Sequence, residues 1–226
     1  MTAMQLPLGI QLDDSATFAN FIIAGNAALL HALTQQTELS LYFWGGAASG
    51  KTHLLQALCH TATQAKLTAV YLPLAGDEKL EPAMLEGLEQ LDLVCIDDVH
   101  AIAGQLPWEE ALFDLYNRIR DQHKLIRLSA SGSPNAIAFR LPDLVSRLTW
   151  GPVFQLHGLD DTQKLTALQL RAKQRGFDLP EEVARYLLKH YPRDMHSLFA
   201  LLNRLDAASL QAQRRLTIPF VKTWIG

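Results

Sequence analysis

Eight consecutive residues, Gly45-Gly46-Ala47-Ala48-Ser49-Gly50-Lys51-Thr52, constrain this 226-residue chain more than any other stretch of it. They fit the pattern G-x-x-x-x-G-K-[ST]. The apolar run from Leu39 to Trp44 before them predicts a buried strand, and residues His53 to Thr63 after them predict a helix. A strand that empties into a glycine-rich loop and then a helix is the context this pattern requires. Glycines let the loop curl so that successive backbone N–H groups point at one anion, and the helix N-terminus adds partial positive charge. Lys51 then reaches the outer phosphates of a nucleotide, and the Thr52 hydroxyl ligates Mg²⁺. The backbone N–H of His53 joins the cradle, which makes no demand on its ring. The chain is expected to bind ADP or ATP with Mg²⁺.

The rest of the chain alternates strand and helix up to about residue 157. Helical spacing runs from Ala24 to Gln35, around Glu81 to Leu88, and from Trp108 to Gln122, with a short helix at Asp143 to Leu148. Strands are predicted at Thr68–Leu72, Leu91–Ile96, Leu125–Ala130 (interrupted by Arg127) and Val153–Leu156. Strands separated by helices argue for a parallel sheet covered by helices on both faces. From Asp160 onward the pattern is helical throughout: Asp160–Arg175, Pro180–His190, Arg193–Gln211 and a closing turn near Pro219–Ile225. The expected division is a tail over 1–14, an α/β domain over 15–157 and a small all-helical domain over 158–226.

Composition narrows the class. Lys and Arg total 20 against 23 Asp and Glu, a net charge of −3, so there is no global basic field to grip DNA or an anionic membrane. No apolar run is long enough to span a bilayer, and the N-terminus lacks the basic region of a secretory signal. The two cysteines, Cys59 and Cys95, fall in an apolar helix and an apolar strand, outside any metal-ligand spacing, and read as buried thiols of a reducing, cytoplasmic protein. The eight histidines are scattered without ligand spacing, as surface or capping residues, and Trp108, Trp150 and Trp224 read as packing residues.

Leu93 to Ile96 followed by Asp97-Asp98 is an apolar strand that delivers carboxylates to its C-terminal edge, where open α/β sheets bind ligands. Asp97 would hold the Mg²⁺ shell through water, and Asp98 could orient or polarise an attacking water. These residues, the P-loop and the layout resemble an AAA+ ATPase of the bacterial initiator DnaA type. Phe18, Phe21, Ile22 and Ile23 resemble the segment lying against the adenine in that family. Trp108 to Asn117 resembles the helix after the acid strand. Leu141 to Gly151 resembles the Ser-Arg box, which makes Arg147 an arginine finger acting on a neighbouring subunit's γ-phosphate; the plainer alternative, that Arg147 snorkels over an apolar surface or pairs with Asp143, is the less favoured. Arg193 resembles the second sensor arginine of the lid, and its place at a helix start, against the macrodipole, suggests a phosphate partner. Ser131 fills the first sensor position, where relatives often carry Asp or Asn; with the short Asp98, this implies weak or no hydrolysis by the chain itself.

At the other end, Gln5, Leu6 and Leu8 resemble the short Gln-Leu-x-Leu peptide with which bacterial proteins dock onto the DNA polymerase III sliding clamp (beta subunit). The resemblance includes no helix-turn-helix after the lid, so direct sequence-specific DNA binding is not expected. Together these features resemble the Hda family, which implies a clamp-tethered negative regulator that stimulates hydrolysis of DnaA-bound ATP through Arg147, with homodimers or higher oligomers possible. The alternative is a DnaA-like initiation adaptor or loader that does not act through the clamp.

Overall fold

The computed structural model describes residues 16–76, 80–212 and 214–225. The clamp-like peptide at Gln5, Leu6 and Leu8 lies outside them. Five strands, β1 (Ser40–Trp44), β2 (Ala69–Pro73), β3 (Leu93–Asp97), β4 (Leu125–Ala130) and β5 (Val153–Gln155), form one parallel sheet in the order β2-β3-β4-β1-β5. Parallel neighbours need crossover connections, and helices α1 (Ala27–Gln35), α2 (Lys51–Gln64), α3 (Leu106–Asp121) and α4 (Pro142–Leu148) lie along this part of the chain.

Period-two alternation on the strands sorts the core into two layers. Leu41 and Phe43 pack with Leu29, Leu33, Leu54, Leu55 and Leu58 from α1 and α2. Tyr42, Val94, Ile96, Ile126 and Leu128 pack on the opposite face with Leu112, Leu115 and Ile119 of α3 and with Leu144 and Leu148 of α4. The sheet is therefore covered on both sides, as the sequence pattern implies. The order β3-β4-β1 is what matters for chemistry, because it sets the end of β4 between the P-loop and the acid strand.

The described chain divides into two compact units. One runs through Leu156; the other gathers residues 157–226 with the short stretches Ile22–Gly25 and Gly46–Ser49. In the second, α5 (Asp161–Gln174), α6 (Glu181–His190), α7 (Met195–Ala212) and α8 (Ile218–Ile225) bury Leu168, Val183, Leu187, Leu198, Leu202, Leu205 and Val221 around a core of their own. Asp160 caps α5, its side chain accepting the Gln163 N–H at 2.8 Å while Gln163 returns a bond to the Asp160 N–H.

Several elements depart from the sequence reading. The helix expected around Glu81–Leu88 is two 3₁₀ turns, Pro82–Leu85 and Leu88–Gln90. Pro82 donates no N–H, and Gly87 at φ +80° breaks any continuous helix. α1 starts at Ala27 rather than Ala24 because Ala24 and Gly25 both take positive φ. α7 starts at Met195, with the Asp194 carboxylate accepting the Ser197 N–H at 2.8 Å, so Arg193 precedes the helix and does not start it. Arg127 does not interrupt β4. It is fully buried in mid-strand, and its guanidinium donates to the carbonyls of Glu38, Leu39 and Ile126 at 2.9–3.1 Å.

Candidate functional site: a phosphate loop and a buried carboxylate

The P-loop leaves β1 at its carboxyl end, and the Gly45 N–H donates to the Ala130 carbonyl at the end of β4 at 3.1 Å. Ala48 at φ +55° and Gly50 at φ +104° bend the loop, with the Ser49 N–H donating to the Gly46 carbonyl at 3.3 Å. α2 begins immediately afterwards at Lys51, so its unsatisfied N–H groups face the loop. Lys51 is buried, and its Nζ donates to the Gly45 carbonyl at 3.1 Å. The Ser49 hydroxyl is buried without a hydrogen-bond partner among the described residues. A buried orphan hydroxyl in a glycine-rich loop at a helix N-terminus fits a phosphate ligand.

Asp97, 1% exposed, is the centre of a cluster that the sequence shows only in part. Its Oδ2 accepts from the Thr52 hydroxyl at 2.6 Å and from the Tyr71 hydroxyl at 2.9 Å. Its Oδ1 accepts from the Ser129 hydroxyl and from the Asp98 N–H at 3.1 Å. Thr52 and Asp97 are thus brought together as expected of a Mg²⁺ site. Among the described residues no group of three His, Cys, Asp or Glu side chains could hold a metal by itself. The donor set suits an ion that takes its remaining ligands from phosphate oxygens and water. Burial and the neighbouring Asp97 charge raise the Tyr71 phenol well above the usual range, so it acts as a donor.

Asp98 is half-buried at φ +55°, and its carboxyl is raised above the ordinary range, first by burial and then by Asp97, against the opposing charges of Lys51 and His100. Its N–H also meets the Ser129 Oγ at 3.2 Å. Ser131 is exposed just beyond β4, and its N–H donates to Nδ1 of His100 at 3.2 Å, with the Asp98 carboxylate 3.8 Å from the same nitrogen. Ser129 and Tyr71 are the residues that sequence reasoning missed. A second serine, on β4 two positions before Ser131, is the one local signal that could have found Ser129.

Phe18 and Phe21 pack beside the α1 and α2 core layer, while Ile22 is half-buried and Ile23 is 54% exposed. A Cβ built on Gly50 would lie 2.8 Å from the Phe21 ring, so only glycine lets that ring cover the loop. The His53 ring is not idle as expected: its Nε2 donates to the Thr17 carbonyl at 2.8 Å, and the ring lies 5.6 Å from Phe21. In the helical unit, Arg193 donates through Nε to the Leu188 carbonyl at 3.2 Å and through Nη1 to Asp161 at 3.4 Å.

Arg147 makes no ion pair with Asp143 or with any other described residue. Its guanidinium carbon lies 4.3 Å from the centre of the Trp150 ring and 5.5 Å from that of Phe113. Trp150 is 58% exposed and so is not the packing residue the sequence suggested. It lines a groove of about 270 Å³ with Ser40 and Ile126, at the end of the sheet where β1 and β4 begin. The P-loop departs from the other end of β1, a strand length of roughly 16 Å away at about 3.3 Å per residue. The helix carrying Arg147 is fixed by Glu109, which is fully buried and accepts the N–H groups of Gly104, Arg140 and Leu141 at 2.7–2.8 Å. Replacing Glu109 with Ala strands three part-buried N–H donors. Thermal unfolding followed by circular dichroism should show a loss of about 3 kcal/mol or more.

Fold and site together define an AAA+ P-loop ATPase domain followed by a helical lid. Residues 12–155 match the bacterial DnaA ATPase domain family, and residues 161–225 match the Hda lid domain. The chain belongs to this family: it is a DnaA-related AAA+ protein of the Hda type. It is 49% identical over 223 residues, 96% of either chain, to an uncharacterized protein of Haemophilus influenzae. Domain III of the Thermotoga maritima initiator DnaA is similar with a TM-score of 0.79 at 22% identity, over 96% of this chain and 98% of that one. AMPPCP-bound DnaA from Aquifex aeolicus follows at 0.73 and 21%, over 89% and 68%. The Thermotoga maritima RuvB Holliday junction branch migration motor is more distant, at 0.63 and 15%, over 88% and 65%. Among the described residues no helix is long and apolar enough to cross a membrane.

Proposed function

We propose that this protein is a cytoplasmic negative regulator of replication initiation that binds ADP or ATP with Mg²⁺ and promotes hydrolysis of the ATP held by DnaA. Lys51, the P-loop N–H groups and the Ser49 hydroxyl take the phosphates. Thr52 and Asp97 hold the metal, which would offset phosphate charge. Phe18, Phe21, Ile22 and Ile23 take the base, and Arg193 serves as the lid sensor. Asp98 and Ser131 are poor substitutes for a longer acid and a carboxylate or amide sensor, so the protein's own turnover is weak.

The reading rests on Arg147. A cation without an ion-pair partner among the described residues, laid on exposed aromatic surface at the sheet end opposite its own P-loop, is poorly placed to serve its own nucleotide. It is suited to one bound by another subunit. Gln5, Leu6 and Leu8 tether the protein to the sliding clamp and raise its local concentration near newly made DNA.

The test is a single-turnover assay of ATP hydrolysis on DnaA, with clamp loaded on DNA. Omitting the clamp or deleting residues 1–10 should remove the stimulation at nanomolar protein and leave it recoverable at concentrations about 10²-fold higher, since a tether supplies concentration rather than chemistry. A truncated chain as active as the full one at low concentration would rule out the tether.

A further inference from the structure

Two arginines share the Trp150 ring. The Arg120 guanidinium carbon lies 4.9 Å from its centre and that of Arg147 4.3 Å. Their charges are answered differently. Arg120 donates through Nε and Nη2 to the adjacent Asp121 at 3.2 and 3.0 Å. Arg147 has no carboxylate among the described residues, and its Nε is buried without a hydrogen-bond partner. What lies against the Arg147 guanidinium is ring surface, from Trp150 and from Phe113.

Trp150 is itself anchored. A side chain on Gly151 would collide with the carbonyl and hydroxyl oxygens of Ser40, so this backbone approach is open to glycine alone. Ser40 is held in turn by the Tyr116 hydroxyl, which donates to its Oγ at 2.6 Å, and the next residue, Pro152, accepts the Tyr42 N–H at 3.1 Å. The exposed ring therefore stands on the first residue of β1 and on α3. An arginine side chain is rich in rotamers, and one already laid on a ring loses less freedom on meeting an anion.

We infer that Trp150, keyed through Gly151 to Ser40, is a positioning residue that holds the Arg147 guanidinium ready for the phosphate of a nucleotide bound by the partner subunit. This rests on the finger reading of Arg147 and adds the device that aims it. Stacking on a ring fixes where the planar cation sits while leaving its outer N–H groups free to donate. Aliphatic replacement should remove the attraction and keep the bulk.

The test is the same single-turnover assay on DnaA-bound ATP with clamp on DNA, titrated with wild type, Trp150→Leu, Trp150→Phe and Arg147→Ala. Trp150→Leu should lower the rate at saturation about tenfold, with the half-saturating concentration within about twofold of wild type. Trp150→Phe should restore the rate to within about threefold, because a smaller ring keeps part of the attraction. Unchanged melting temperatures would exclude unfolding, and Trp150 is exposed enough for that to hold. If Arg147→Ala keeps full stimulation, the finger reading itself fails. If Arg147→Ala abolishes stimulation while Trp150→Leu keeps the wild-type rate at saturation, only the positioning role fails. A Trp150→Leu defect confined to half-saturation would make the ring a docking contact instead, and a phenylalanine as poor as leucine would overturn the role of the ring face.

Discussion

Arg147→Ala should bring hydrolysis of DnaA-bound ATP down to the rate of DnaA alone, while the variant still folds, binds nucleotide and loads on the clamp. Arginine fingers as a class contribute ~10³–10⁵ in rate, because the guanidinium meets charge that develops only in the transition state. Lysine at the same position should rescue little. Its ammonium is a compact point charge, lacking the planar fork that both stacks on Trp150 and pairs with phosphate oxygens. Folding should be spared because Arg147 contributes no ion pair among the described residues, and its contacts with Trp150 and Phe113 lie at a partly exposed surface. The rate at saturating protein decides the matter. A variant with wild-type stimulation would leave the nucleotide site with a merely structural role.

The second large effect is on the protein's own ligand. Lys51→Ala should weaken ADP binding by about 10²-fold or more, since charge-assisted hydrogen bonds contribute about 1.5–3 kcal/mol each. Its buried amine now donates to the Gly45 carbonyl, so a phosphate would find the cation already inside the loop. The measurement is the ligand-induced shift in thermal stability. At a nucleotide concentration a hundred times the wild-type Kd, stabilisation should fall from about 2.7 to about 0.4 kcal/mol. A variant with the full shift would mean that the backbone N–H groups alone retain the ligand.

What the sequence made legible were features written locally. The glycine spacing with Lys51-Thr52, the strand ending in Asp97 and the helical pattern after Asp160 each need only a few neighbouring residues to be read. Ser129 and Tyr71 were not legible, because their meaning lies in pairing. Tyr71 reaches Asp97 from β2 and Ser129 from β4, and neither strand is adjacent in sequence to the acid. Arg127 misled for a similar reason. A charge in an apolar run looks like a break until the carbonyls of Glu38 and Leu39, nearly ninety positions earlier, supply its partners. The turns at Pro82–Leu85 and Leu88–Gln90 show the opposite error, where apolar spacing outweighed the proline and glycine that forbid a helix. Trp150 was read by its hydrophobicity, and its exposure depends on Gly151 packing against a strand more than a hundred residues away.

The separation of Arg147 from the P-loop along one sheet limits how copies of this fold can meet. A head-to-tail contact would carry the Arg147 of one copy to the phosphate loop of the next, and a heterologous contact of that kind closes into a ring where its rotation allows and otherwise stays open. An open stack would leave one Arg147 and one phosphate loop unmet at its two ends. On the proposed reading of Arg147 such a stack would be polar, and the protein at its exposed end would determine whose nucleotide is acted on.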